Sequence, residues 1–345
     1  MLPGAMTVPL LLAALLAAAA PPAEPLPSGG SESVTVRLLI VDAVVVDRRD
    51  RTVPGLSASD FELRLDGKRV PIDTFDAECP GGATGDPEAS NLASVPTFPP
   101  LPPGEAPRRV VLVFDEKHLQ DFRADPPAPR RAGAYAEARR LVRNPLPPGL
   151  ELAVLAIGDG VRVGTEFTAD HDQVLAAIDR LEQDMEIFVR AWGPNGIQGL
   201  TAKSWLRDLG ALLDRLKPVT GAKSVVLFSS YSRSVRPTDL QFRELAAAAG
   251  AARTSFYPVD AAGLIASTKP SRLRVLSRLA VDTGGRETVN TNDLTLGAVR
   301  AARDLGCRYA LGTYVRGAGK KSGSVSVNVS PKGTRALHPA GYRLD

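Results

Sequence analysis

The sequence is short of the residues on which much protein chemistry depends: two cysteines, three histidines and 5% aromatic residues in 345 positions. Cys79 and Cys307 are too few to frame a small disulfide-stapled fold, and neither lies in a Cys-x-x-Cys or Cys/His spacing that would hold zinc. With only His118, His171 and His338, imidazole chemistry has few places to occur. Basic residues are scattered among 38 acids, without a long basic run or interleaved aromatics, so a net charge of +4 gives no reason to expect a nucleic-acid partner. What the chain does have is apolar residues at 44%, with 31 glycines and 29 prolines. That apolar content supplies one sizeable core or two modest ones, and the length suggests about two domains.

Charge is also missing from the start of the chain. No charged side chain precedes Glu24, and Val8 to Ala20 is a run of mostly Leu and Ala. It falls short of the ~20 residues of a bilayer-spanning helix, and small residues at Ala17 to Ala20 and Ala23 offer cleavage sites. Residues 1–23 are therefore expected to be a secretory signal peptide, the other reading being an uncleaved anchor. No later apolar run approaches that length, so the mature chain is expected to be secreted or periplasmic, with no membrane insertion after signal cleavage. Residues 24–33 have the composition of a flexible tether.

Residues 34–78 have a β texture. VTVRLLIVDAVVVD is rich in β-branched residues, with Val34, Val36, Leu38 and Ile40 on one face. Phe61, Leu63 and Leu65 alternate with Glu62, Arg64 and Asp66. Asp66-Gly67 then predicts a two-residue hairpin turn returning through Val70, Ile72 and Phe75. Residues 79–108 have no periodicity and many Pro and Gly, as in a linker or long surface loop.

From Arg109 to Gly306 the pattern alternates between buried strands and amphipathic helices. VVLVFD (110–115) is a continuous apolar run ending in an acid, as expected of a strand covered on both faces. Further strands are expected at Leu152 to Ile157, Val161 to Phe167, Ser224 to Phe228, Thr254 to Val259 and Arg286 to Val289. Thr168 or Asp170 begins a helix with Val174, Leu175, Ile178 and Leu181 on one stripe. Thr238 and Gln241 form a capping box before a helix stopped by Gly250. Leu273, Leu276 and Leu279 mark a third helix ended by Gly284-Gly285, and Asn292 caps a fourth that ends at Gly306. This alternation predicts an α/β fold with a doubly wound, mostly parallel sheet, whose ligands approach the carboxyl ends of the strands. Residues 307–345 turn β again and are expected to pack with the N-terminal strands as a small accessory module.

Six blocks, GLSASDFELRLDGK, VVLVFDEKHL, AKSVVLFSS, FYPVDAAGL, LAVDTGGRETVNTNDL and YALGTYV, occur in an order that resembles the VWFA-related Acidobacterial domain family, a bacterial branch of the von Willebrand factor type A domains. The resemblance runs from about Val34 to the C-terminus and implies an exported domain that binds other macromolecules. Such domains often carry a metal-ion-dependent adhesion site of pattern Asp-x-Ser-x-Ser, with a Thr and an Asp from two further loops, because Mg²⁺ needs an octahedron of oxygen ligands and a vacancy for a partner's carboxylate. The first Asp position is Asp115, but the serine positions hold Lys117 and Leu119. Thr201 is the candidate second-loop hydroxyl, and the third-loop acid position holds Ser229 or Ser230. An ammonium about 4 Å from a divalent ion is repelled by roughly 8 kcal/mol at an effective dielectric near 20. The site is therefore expected to be degenerate, with no cofactor required and Mg²⁺ the one ion to consider.

The expected function is an exported, non-enzymatic, adhesion-like module with a protein partner. Its binding loops would include Glu116, Lys117, His118, Ser230 and Trp192, the last placed on a loop at the binding edge. Two alternatives remain at the level of sequence: a metal-assisted hydrolase using Asp115, Glu116, His118 and Asp260, and a structural subunit whose β module joins an envelope assembly by strand addition. GAGKKSGS (317–324) misses the phosphate-loop spacing and is expected to be a solvated hairpin loop. In an oxidising compartment Cys79 and Cys307 are expected to bridge the two halves of the β module, the other reading being two thiols.

Overall fold

A computed structural model of the chain describes residues 36–79, 107–119, 130–143, 149–158, 160–192, 201–230, 237–263, 274–316 and 321–344. The expected signal peptide, the tether and nearly all of the 79–108 linker lie outside these residues.

β1 (Val36–Val46) forms from the β-branched run, and it buries the face opposite Val36 and Leu38. Leu39, Val41, Ala43 and Val45 point into a core, whereas Val36 and Leu38 are exposed. Both faces of this strand are apolar, so alternation alone does not choose between them. Asp66 (φ 49°) and Gly67 (φ 78°) supply the left-handed turn between β2 (Phe61–Leu65) and β3 (Lys68–Val70). The hairpin ends at Val70. Phe75 belongs instead to β4 (Thr74–Glu78), which pairs in a different sheet.

The next segment alternates as expected: β5 (Arg108–Asp115), α1 (Arg130–Arg143), β6 (Leu150–Ile157), β7 (Val161–Thr168), α2 (His171–Gln183), α3 (Met185–Trp192), α4 (Ala202–Leu216), β8 (Lys223–Ser229), α5 (Asp239–Ala251), β9 (Thr254–Asp260), α6 (Arg274–Asp282) and α7 (Thr295–Leu305). The strands lie in the order β7-β6-β5-β8-β9, all parallel except β7, which runs antiparallel to β6. Alternate residues of β5 face opposite layers. Val110, Leu112 and Phe114 pack with α1, α2 and α7, while Val111 and Val113 pack with α4, α5 and α6. This is a doubly wound α/β domain.

Several local expectations hold. Asp170 caps α2, accepting from the backbone N of Asp172 and Gln173, and Thr238 with Gln241 makes the capping box of α5. Others are corrected. Arg286 to Val289 contributes a single bridge, Thr288 to Val259, and the chain before it passes so close to β9 that a Cβ on Gly285 would lie 1.9 Å from the Phe256 carbonyl oxygen. Asn292 does not cap α7. The helix opens at Thr295, whose N–H and hydroxyl both donate to Asp293. α5 runs one residue past Gly250, and the chain turns at Arg253, with φ 47°.

The C-terminal strands are β10 (Arg308–Arg316), β11 (Ser322–Val329), β12 (Arg335–Leu337) and β13 (Gly341–Arg343). They combine with the N-terminal strands into two sheets, β12-β1-β10-β4 and β13-β11-β2-β3. Between the sheets lie Leu39, Val41, Phe61, Leu63, Tyr309, Leu311, Val325 and Val327. The accessory β module is therefore a small sandwich built from both ends of the chain. β10 and β11 belong to different sheets and do not pair as the expected hairpin; of GAGKKSGS, 322–324 are part of β11 and 317–320 lie outside the described residues. Cys79 and Cys307 are bonded to each other, one register step beyond the Glu78–Arg308 pair.

The sandwich sits against the amino-terminal edge of the central sheet. Arg253, at the start of β9, grips Asp42 of β1 through two hydrogen bonds of 2.9 and 2.6 Å, and Ala340 N donates to the Asp282 carbonyl at the end of α6. Gly341 lies against α5, where a Cβ would come within 3.0 Å of the Ala247 nitrogen. The carboxyl edge is left to the loops.

Candidate functional site

Parallel pairing of β5 with β6 and β8 brings Asp115 and Ser229 to the same carboxyl edge of the sheet, with Asp260 beside Ser229 on β9. Asp115 is only 1% exposed. His118 Nδ1 lies 2.8 Å from both of its oxygens, while Trp205 Nε1 at 3.0 Å and the Ser229 hydroxyl at 2.8 Å both donate to Oδ2. Each donor has a local reason to be there. His118 follows in a tight turn in which its own N–H reaches the Asp115 carbonyl, Trp205 belongs to the buried stripe of α4 with Leu209, Leu212 and Leu216, and Ser229 is the last residue of β8.

The neighbouring charges turn away from Asp115. Glu116 faces the α1 side, accepting from the Tyr135 hydroxyl at 2.6 Å and from Arg131 Nε at 2.7 Å. Arg131 is itself fixed by the carbonyls of Leu181 and Glu182. Burial raises the Glu116 pKa more than Arg131 lowers it. Lys117 goes toward α4, where its Nζ donates to Asp208 Oδ2 at 3.2 Å, and Asp208 Oδ1 accepts from Gly160 N at 3.4 Å. Burial raises the Asp208 pKa as well, against the pull of Lys117. Sequence reasoning missed Asp208. Its signal was an acid among the apolar positions Trp205, Leu209 and Leu212 of a helical stripe.

The structure thus places the expected loop residues Glu116, Lys117, His118 and Ser230 in the interior, all of them buried. Ser230 N donates to the His118 carbonyl, and the Ser230 hydroxyl has no hydrogen-bond partner among the described residues. Trp192 is the last residue of α3 and not a loop residue. Residues 193–200 lie outside the described residues.

Do these residues fit the Mg²⁺ that the type A resemblance implies? They do not. Both oxygens of Asp115 accept hydrogen bonds from protein N–H or O–H groups, and Ser229 is one of the donors. Thr201 caps α4, its hydroxyl accepting from Ser204 N at 3.1 Å. Asp260 Oδ1 accepts from Ala262 N at 3.0 Å in the turn after β9. Among the described residues no group of three His, Cys, Asp or Glu side chains could hold a metal ion. Ser229 and His118 do not pair as nucleophile and base: both bond to Asp115, whereas a hydrolytic triad needs Ser bonded to His and His to Asp. Glu116, facing the opposite layer, does not join Asp115 and His118 in a common site.

No family model matches the sequence, and no curated protein matches it. Among solved structures, an aerotolerance-related membrane protein from Bacteroides fragilis is similar at 10% identity and a TM-score of 0.40, covering 57% of this chain and 98% of that one. BatB from Bacteroides thetaiotaomicron is similar at 12% identity and a TM-score of 0.37, covering 57% and 97%. Proximal thread matrix protein 1 from the mussel byssus is similar at 15% identity and a TM-score of 0.35, covering 59% of this chain and 49% of the mussel chain. Likeness at this level assigns no family, and the fold stands on the strand order and helix layers described above.

Proposed function

We propose that this chain is an exported, non-enzymatic, adhesion-like module that binds another protein, and that its metal-ion-dependent adhesion site is degenerate. One observation carries the reading: the carboxylate at the end of the central strand is engaged by Trp205, Ser229 and His118, while the ammonium two residues on is paired with Asp208. An acid that serves as the hub of a hydrogen-bond cluster stiffens the sheet edge. It does not present two open oxygens to an ion. Because Glu116, Lys117, His118 and Ser230 are buried, recognition would fall to the parts of the loops after Phe114, around Gly193 to Lys203 and after Phe228 that lie beyond them.

Thermal unfolding with and without divalent ions tests the proposal. Millimolar Mg²⁺ or Mn²⁺ should leave the midpoint unchanged, whereas an ion at 100 times its dissociation constant would add about 2.7 kcal/mol. Restoring oxygen ligands with Lys117→Ser, Leu119→Ser and Ser229→Asp should create a response that Asp115→Ala removes. A rise in the unmodified protein that Asp115→Ala abolishes would overturn the degenerate site. Recovery of the mature chain from the cytoplasm with Met1 intact would overturn export.

A further inference from the structure

The free edge of β1 is unlike the other edges of the molecule. β10 pairs with Val36–Ala43 on one side, but on the other side β12 reaches only Val44–Val46. Among the described residues, the stretch from Val36 to Ala43 therefore has no neighbour along that side. Sheet edges usually resist pairing through shortness, charge or irregularity. β3 is three residues long and carries Lys68 and Arg69, β4 exposes Thr74 and Asp76, and β7 has register shifts opposite Leu152 and Val154. The β1 edge has none of these features between Arg37 and Asp42, where it runs Leu38, Leu39, Ile40, Val41.

A groove of about 440 Å³ lies along this edge, lined in part by Arg37, Leu38, Ile40, Arg253, Arg343 and Leu344. Three arginines and, among the described residues, no acid line it, Asp42 holding Arg253 in place. Beside it the face is apolar and open: Val36 is 52% exposed, Leu38 44%, and Tyr314, directly opposite Leu38 on β10, 49%.

We propose that the β1 edge takes up an extended segment of a partner protein by strand addition, and that this segment is apolar and carries acidic residues. The open backbone groups of β1 would give the affinity, since each finds a partner in the added strand. Val36, Leu38 and Tyr314 would cover its apolar side chains, and Arg37 would select for acid. A second copy of this chain is the poorer occupant, because joining two β1 edges brings two arginine-lined grooves together. The site lies in the sandwich, at the amino-terminal edge of the central sheet, so it stands or falls separately from the loop surface proposed above.

The test uses the full oxidised chain and two blocked peptides, Val-Glu-Val-Glu-Val-Glu-Val and its counterpart with Lys for Glu, followed by fluorescence anisotropy. The acidic peptide should bind at least about tenfold more tightly than the basic one, a difference of ~1.4 kcal/mol. Arg37→Glu should erase or reverse that order, and Leu38→Lys with Ile40→Lys should weaken the acidic peptide by a similar factor. Bound peptide should also slow amide exchange between Val36 and Ala43. Equal affinity for both peptides, or no binding by about 1 mM, would overturn the proposal. So would exchange that is already slow at every amide of Val36–Ala43 in the free chain, which would mean that the chain covers its own edge. Dimerisation through this edge without peptide binding would assign it to a second copy instead.

Discussion

The two edges of the central sheet both bury charge, and they do so differently. At the carboxyl edge every charged group near Asp115 finds its partner inside the α/β domain: Glu116 with Arg131, and Lys117 with Asp208. At the amino edge the charges reach across to the sandwich. Arg253 holds Asp42, and Arg286 of the α/β domain donates to the Asp50 carbonyl while paired with Asp304. The consequence appears in the acids. Glu116 and Asp208 are raised above the ordinary carboxyl range, burial being the main cause. At Asp42 burial also acts to raise the pKa, but Arg253 and Arg308 together hold it below its ordinary value. The carboxyl edge seals itself, whereas the amino edge is a cation-rich latch between two units.

The largest effect should come from the staple of the sandwich. Cys307→Ser opens a loop closed over 228 residues of sequence, and the entropy model puts its worth at about 5 kcal/mol. Urea unfolding of this variant should lose the sandwich first, so that Trp205 fluorescence in the α/β domain and overall β signal no longer change together. Coincident transitions would mean that the latch binds the two units into one cooperative body.

Next in size is the sealed edge. Lys117→Met leaves the buried Asp208 carboxylate with only the Gly160 N–H at 3.4 Å and the exposed Arg207 at 3.5 Å, at a cost of about 3 kcal/mol, and adding Asp208→Leu should recover most of the loss. A single variant that costs nothing would show that water reaches Asp208, and the contrast between the two edges would weaken.

The latch should show a smaller, pH-dependent effect. Lys223, 2% exposed, donates to the carbonyls of Val219 and Gly221, and burial followed by repulsion from Arg253 lowers its pKa to about 8. The folded state thus disfavours the ammonium relative to the unfolded chain. Below pH 8 both states carry the proton and the full penalty applies. Between pH 8 and about 10.5 the unfolded chain holds more protons, so stability should rise with pH by up to about 3 kcal/mol and then level off. Lys223→Met should flatten that rise. A stability that falls over this range in the unmodified protein would mean that Asp42 dominates the latch.

Much of this architecture was legible in the sequence because the signals were local. The apolar run ending at Asp115, the Asp66-Gly67 turn and the Thr238/Gln241 capping box each need only a few adjacent residues. The misses share another cause. Phe75 pairs with Leu311, far along the chain, instead of continuing the hairpin, and Arg286 to Val289 meets β9 at one bridge only. At the site, Asp115 stood out, but its partners did not, since Trp205 and Asp208 arrive from a helix about 90 positions later in the chain. That distance turned an expected surface loop into a buried cluster.

The sandwich is made from both ends of the chain, and this gives the molecule a mechanical property. With Cys79 bonded to Cys307, tension applied at Val36 and Leu344 travels along the chain to Cys79, across the sulfur atoms and on from Cys307. The whole α/β domain lies on the bypassed stretch. A pull that shears the sandwich therefore leaves the central sheet and its loops unloaded, and in a single-molecule experiment the oxidised chain should extend by the length of the sandwich strands alone until the bridge is reduced.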